Sequence, residues 1–274
     1  MMHVQDFIRM KYRREDMPIT QVDHEFISGL ELYLKIERNC GHNTAVKYIK
    51  NFKKIVRMAM ANGWITKDPF AKIKMPLKKV DKDFLTEDEL NTIINKEFSV
   101  ERLEHVKDIF LFGCFTGLAY SDLQLLTPDN LVTGTDGGTW IITKRKKTDN
   151  SSHIPLLPMA AEIIEKYVDH PHCIRHHVLL PVYSNQKLNA YLKEIADLCG
   201  IKKNMSSHMA RHTFATTVTL NNDIPIESVS KMLGHSSIKM TQVYAKLLDK
   251  KVSQDMKKLH EKFTSKKALA PILN

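Results

Sequence analysis

His208, Arg211 and His212 stand at positions i, i+3 and i+4 of the stretch SHMARHTF. On a helix those three side chains project from one face. His235 closes an L-G-H run, and Tyr244 follows nine residues later inside T-x-x-Y. An arginine's planar fork can give two charge-assisted bonds to one phosphate. Histidines can hydrogen-bond that phosphate or carry protons near neutral pH. Each residue alone says little. H-x-x-R arises by chance, a lone histidine is most often a hydrogen-bonded structural residue, and a tyrosine on an amphipathic helix usually packs in a core. His208, Arg211, His235 and Tyr244 in this order and spacing are much harder to reach by chance. His212 reads as a residue supporting them.

Local signals say which elements hold these side chains. Ser207 is a suitable N-cap, so the spacing predicts a helix from His208. Asn221 and Asn222 break it. Pro225 suits the first turn of the next helix and Gly234 its C′ position. His235 then emerges just past a helix end, and Tyr244 lies on a further short helix.

This set resembles the catalytic end of the tyrosine recombinases, the integrase family that cuts and rejoins DNA through a tyrosine. The resemblance implies that Tyr244 is the nucleophile and forms a covalent 3′-phosphotyrosine. It implies that Arg211, His208 and His235 surround the phosphate. The family also has a lysine in a K-T-G-like turn, the acid for the leaving 5′ oxygen. Lys147, followed by Thr148 and Asp149, matches it, with Lys144 and Lys146 as competitors. In one place the pattern fails. The family's T-G-L-R, which supplies a further arginine, here reads T-G-L-A, ending in Ala119. The following residues AYSDLQLL still match the expected helix, so the change is a substitution in place. It resembles a subset of integrases from Bacteroides-type mobile elements that also lack this arginine. Arg145, two residues before Lys147, is expected on the same face of the same hairpin arm and takes part of the missing role. The plainer role for Arg145 is a contact with backbone phosphate.

The rest of the chain is consistent with a DNA partner. The 274 residues carry a formal charge of +10, and a basic excess of this size suits nucleic acid or another acidic surface. Residues 43–61 predict an amphipathic helix capped by Asn43 or Thr44. Ala45, Tyr48, Ile49, Phe52, Ile55, Val56 and Ala59 form its apolar stripe, and Lys47, Lys50, Lys53, Lys54 and Arg57 lie largely off it. Such a face is either simply solvated or contacts phosphates; the net charge favours the second. The order helix, G-H-N-T, basic helix, G-W-I, D-P-F is similar to the recombinase core-binding domain. Residues 139–156 predict a β-hairpin with its turn at Thr148–Ser152. The run DHPHCIRHH holds four histidines and a cysteine but not in a zinc spacing, and the chemistry needs neither metal nor cofactor. Four scattered cysteines without C-x-x-C suit reduced thiols. No apolar run reaches the roughly 18 residues of a membrane span.

The expected fold is mainly α with a small β-sheet. It comprises a basic N-terminal segment (1–19) that is either a short helix or a linker remnant, a helical, SAM-like core-binding domain (20–75), a linker (76–83), a mixed α+β catalytic domain (84–249) and a tail (250–274). The two domains are expected to form a C-shaped clamp on DNA. The tail is expected to dock on a neighbouring protomer through Val252, Met256, Leu259 and Phe263. The expected partners are double-stranded recombination sites and further copies of the chain, a tetramer on paired sites and a monomer or weak associate without DNA. A host DNA-bending protein is an accessory candidate, and the location is the bacterial cytoplasm at the nucleoid. Room for the extra N-terminal arm-binding domain of some relatives is lacking before residue 20, which fits either a fragment or a two-domain recombinase. Two rival activities remain: strand relaxation of the type IB topoisomerase kind, and a DNA-binding protein on a decayed recombinase fold.

Overall fold

The computed structural model describes residues 2–79, 82–245 and, in the tail, 256, 257, 259–261, 263 and 264. It divides into two compact units, Met1–Asp81 and Lys82–Asn274.

The first unit is built from three helices, α1 (Met2–Tyr12), α2 (His24–Ile36) and α3 (His42–Ala61). Of the two readings of residues 1–19, the short helix is the one that forms. Helix α1 buries Phe7 and Ile8 in the same cluster as Phe26, Leu30, Ile49, Phe52 and Phe70. Its apolar pair was hidden by the surrounding charges. Asp23 caps α2 by accepting from the Phe26 N–H at 2.8 Å. Gly41, not Asn43 or Thr44, flanks α3. Asn43 instead bonds both backbone groups of Lys78, and His42 Nε2 meets the Pro76 carbonyl at 2.9 Å. The buried stripe of α3 runs through Ala45, Val46, Ile49, Phe52, Val56 and Ala59, while Tyr48 and Ile55 are exposed.

The second unit is organised on α5 (Glu101–Thr116), which from Val106 onward is buried on nearly all sides and therefore central. It follows α4 (Glu87–Ile94), which opens with a Thr86/Glu89 capping box. Against α5 pack α7 (Pro158–Tyr167), α9 (Asn185–Leu198) and α10 (Ser207–Thr213). The two buried charges on α5 are partnered: Lys107 meets Glu104 at 2.9 Å, and Asp108 accepts from Tyr167 at 2.7 Å and meets Lys166 at 2.6 Å. A short α6 (Tyr120–Leu123) precedes an antiparallel sheet of order β1 (Leu131–Thr133), β2 (Thr139–Lys144), β3 (Ser151–Pro155). Ile141 and Ile154 face each other across β2 and β3 and are fully buried. The hairpin turn lies earlier than its serines suggest: Ser151 and Ser152 are already strand, with Ser152 buried. Helix α8 (Pro171–His176), α11 (Ile226–Met232) and α12 (Lys239–Ala245) complete the unit. No described helix is long and apolar enough to cross a membrane. Of the tail's contact residues, Met256, Leu259 and Phe263 are exposed, and Val252 lies outside the described residues.

Candidate active site

Helix α10 starts one residue earlier than Ser207 capping would give. The Ser207 N–H is satisfied from α9, by Asn189 Oδ1 at 2.8 Å, so no serine cap is needed. The helix continues as a π turn over Phe214–Thr219 and ends at Asn222, with Asp223 left-handed. His208, Arg211 and His212 do share its face. The His208 and His212 rings meet edge to face at 4.4 Å, and His212 lies 5.3 Å from Tyr244.

Arg211 is 2% exposed. Its guanidinium donates to the Gly117 carbonyl at 2.6 Å and to the Leu233 carbonyl at 2.5 Å. Gly117 is the C-cap of α5 and Leu233 the C-cap of α11, so two negative helix ends converge on one cation. Burial lowers the Arg211 pKa to about 10, with Arg145 adding repulsion. The arginine stays charged at neutral pH.

The turn after α11 places His235. Gly234 is left-handed at φ +59, the Gly234 N–H bonds Lys231 O at 3.1 Å, and the His235 N–H bonds Ser230 O at 3.0 Å. That is a Schellman closure with Gly234 at C′, as the sequence suggests. His235 Nδ1 pairs with the buried Thr241 hydroxyl at 2.8 Å, leaving Nε2 for other work. Its ring lies parallel to Tyr244, centroids 6.3 Å apart. Burial holds His235 down to about 4 and His212 to about 3, and it also lowers His208; all three are neutral at pH 7. Tyr244 is 5% exposed on α12. Burial raises its phenol pKa, opposed by the charge and hydrogen bond of Arg211.

The hairpin departs from expectation. Strand β2 stops at Lys144, so Arg145 and Lys147 do not alternate along one strand. Residues 146–148 form a turn, closed by Thr148 and Asp149 N–H groups on the Arg145 carbonyl, with Asp149 left-handed. Lys147 is exposed on that turn. Arg145 nevertheless points into the site. Its Nε lies 3.7 Å from Asp122 Oδ2, and its side chain packs so closely on Gly234 that a Cβ there would collide with it. Asp122 also accepts from the Lys146 N–H at 3.0 Å, and Asn150 donates to the Gly234 carbonyl at 3.2 Å. The hairpin end is thus fastened between α6 and the His235 turn. Ala119 flanks α6, three residues before Asp122. Asp122, Thr241 and the carbonyls of Gly117 and Leu233 were not singled out from sequence; only the acidic residue within AYSDLQLL carried a visible signal.

The other expected groups sort as follows. On α3, Lys47, Lys50, Lys54 and Arg57 are exposed along one stripe, whereas Lys53 leaves it and lies 4.9 Å from the Phe70 ring centre. Of the 169–177 histidines, His170, His172 and His176 make tilted or edge contacts in a row, with His172 and His176 centroids 4.5 Å apart, and His177 meets Asp129 at 3.2 Å. Among the described residues no three His, Cys, Asp or Glu side chains converge on a metal position.

Residues 83–251 match the Phage integrase family, and residues 1–75 match its SAM-like domain. The chain is 27% identical over 235 residues to tyrosine recombinase XerD of Lacticaseibacillus casei, covering 80% of this chain and 77% of that protein. It is 26% identical over 225 residues to a tyrosine recombinase of Thermosipho africanus, covering 79% and 76%. Its fold is similar to that of lambda integrase (75-356), solved as a dimer bound to a COC' core site, with TM-score 0.69, 20% identity, and 89% and 87% of the two chains covered. It is also similar to XerH recombinase bound to a palindromic difH substrate, with TM-score 0.64, 15% identity, and 86% and 72% covered. With both parts of the chain matched, it belongs to the phage integrase family of tyrosine recombinases and is a site-specific DNA recombinase.

Proposed function

We propose that this recombinase works through a covalent 3′-phosphotyrosine on Tyr244, in the integration or excision of a mobile element. The observation that carries the reading is the seating of Tyr244 between the His235 and His212 rings and against buried Arg211. The Tyr244 oxygen attacks the scissile phosphorus, the bond to the 5′ oxygen breaks, and the phenol proton passes to a neutral histidine of the pair His208 and His235. Arg211 stabilises the charge on the non-bridging oxygens. Lys147, on its exposed turn, swings in to protonate the leaving 5′ oxygen. Strand exchange reverses these steps on a partner strand, so neither ATP nor metal is consumed.

Arg145 supplies the cation that Ala119 cannot. Its charge bears on Arg211, Tyr244 and both His208 and His235, and Asp122 holds it beside the helix that Ala119 begins. The exposed stripe Lys47, Lys50, Lys54 and Arg57 contacts DNA backbone. Four protomers act on two paired sites, with Met256, Leu259 and Phe263 of each tail seated on a neighbour. The kinship with Bacteroides-type integrases rests on Ala119 alone.

The test is a duplex with a bridging phosphorothiolate at the scissile position, incubated with the full chain and run on a denaturing gel. The wild type gives a protein–DNA adduct. Tyr244→Phe binds the same duplex and gives none; an adduct from that variant would place the nucleophile elsewhere.

A further inference from the structure

The segment leading into the catalytic unit is fastened directly to the helix that bears the site. Leu85 donates its N–H to Thr213 Oγ1 at 3.0 Å, and its carbonyl accepts from Thr217 Oγ1. The Phe84 carbonyl accepts from Lys203 Nζ at 2.8 Å, and Lys203 is itself paired with Glu89 at 2.5 Å. Both backbone groups of Leu85 are therefore spent on α10 and its π continuation. Thr213 directly follows His212, so the chain ahead of Phe84 runs out beside the histidine face. Lys82 lies there, three residues before the clip, which limits its Cα to within about 10 Å of Leu85. Its side chain is exposed and free to swing. The positive charges of Lys82, Arg211, Arg145 and Lys147 all bear on His208; Lys82 also bears on His212 and His235, together with Arg211 and, for His235, Arg145. No single strand or helix carries this group: it is gathered from the segment before α4, from α10 and from the hairpin.

We propose that Lys82 is a further cation of the active site, which contacts the scissile phosphate or its immediate neighbour and is delivered there by the Leu85 clip. The assignment rests on the recombinase reading above. A lysine is a point charge on a long flexible stem, suited to meeting a phosphate that arrives from outside. A site without an arginine at position 119 has room for such a charge. Unlike Arg211 and Arg145, Lys82 has no hydrogen-bond or ion-pair partner for its head group among the described residues, so it acts on bound DNA rather than on the empty site.

The experiment uses the full chain and a duplex selected from random sequence for tight binding, with a bridging phosphorothiolate at the mapped cleavage position. Adduct formation is followed at saturating protein from pH 4.5 to 8.5, so that the window reaches the acid limb of the histidines. Lys82→Gln slows it at least about tenfold, short of the ~100-fold of a rigid donor, and Lys82→Arg recovers most of the rate. The acid limb of the rate profile also moves to higher pH in Lys82→Gln, because a removed positive charge lets the histidines protonate sooner. A control, Lys74→Gln, changes affinity only. If Lys82→Gln cleaves like wild type once saturated, with an unmoved limb and only a salt-dependent loss of affinity, Lys82 is an ordinary backbone contact and the proposal is overturned. An adduct from Tyr244→Phe would overturn the recombinase reading itself, a separate result on the same gel.

Discussion

Arg145 shows how position in space can replace position in sequence. Arg145→Ala should cut the cleavage rate on bound DNA by about 10²- to 10³-fold with modest loss of affinity, and Ala119→Arg in that background should return part of it. A loss confined to affinity and its salt dependence, measured at saturating protein, would reduce Arg145 to a backbone contact. The histidines carry a second consequence. The unfolded chain takes up protons near 6.5, whereas folded His235 and His212 resist until about 4 and 3. Between those values the unfolded state binds more protons, so stability is lost as pH falls below 6.5 and is unaffected by these groups above it. Each histidine contributes at most about 1.4 kcal/mol per pH unit, less for rings that solvent partly screens. The melting temperature should decline from pH 6.5 to 5, with a shallower decline in His212→Gln. A flat profile over that window would contradict the buried, neutral state of these rings.

At the scale of elements, local devices were legible in the sequence and long-range ones were not. Gly117 and Gly234 announce helix ends because a left-handed residue there favours glycine, and both occupy that conformation at φ +69 and φ +59. Gly117 has a second reason invisible to local reading, since a Cβ would overlap the Phe214 ring. The hairpin was placed in the right region, with its turn set too late along the chain. Ser151 and Ser152 have turn character, but the backbone reverses at Asp149, which tolerates the left-handed region. That shift took away the strand-alternation argument for Arg145 and replaced it with a contact to Asp122. Helix α1 stayed open between a short helix and a linker remnant because its buried Phe7 and Ile8 sit among charges and make only one turn of pattern. Nothing in the sequence ties Leu85 to residues 213 and 217, over a hundred positions away. This clip makes a testable demand. Thr217→Val keeps the shape but leaves the Leu85 carbonyl buried without a donor, at a cost of about 1–3 kcal/mol, or roughly 2–10 °C in melting temperature. Thr216→Val should cost much less, because the Thr216 hydroxyl only returns to its own helix at His212 O. Equal effects by calorimetry would deny the clip a structural role.

For the whole molecule, the charge of +10 acquires a direction in the N-terminal unit. Lys47, Lys50, Lys54 and Arg57 point to solvent on one line, the arrangement that displaces counterions from a duplex. Neutralising any one of them should lower the slope of log affinity against log salt by about 1. Lys53→Ala should leave that slope nearly unchanged and instead weaken the unit by about 0.5–1 kcal/mol through loss of its contact with Phe70. Salt titrations of binding, paired with thermal melts, separate the two; a full unit of slope lost in Lys53→Ala would return it to the stripe.

Arg211 ends on two carbonyls, of Gly117 and Leu233, and neither belongs to a side chain. Genetics therefore sees it in an unusual way. A residue held by side chains leaves a trail of partners whose loss mimics its own and whose compensating changes rescue it. Arg211 has no such trail at these two bonds, because codons do not encode the carbonyl. In a saturation scan its intolerance would have no matching peak at a side chain that holds it by these two bonds. The echoes would come from Gly117 and the Leu233–Gly234 pair, where substitution bends the backbone, and second-site revertants would be scarce.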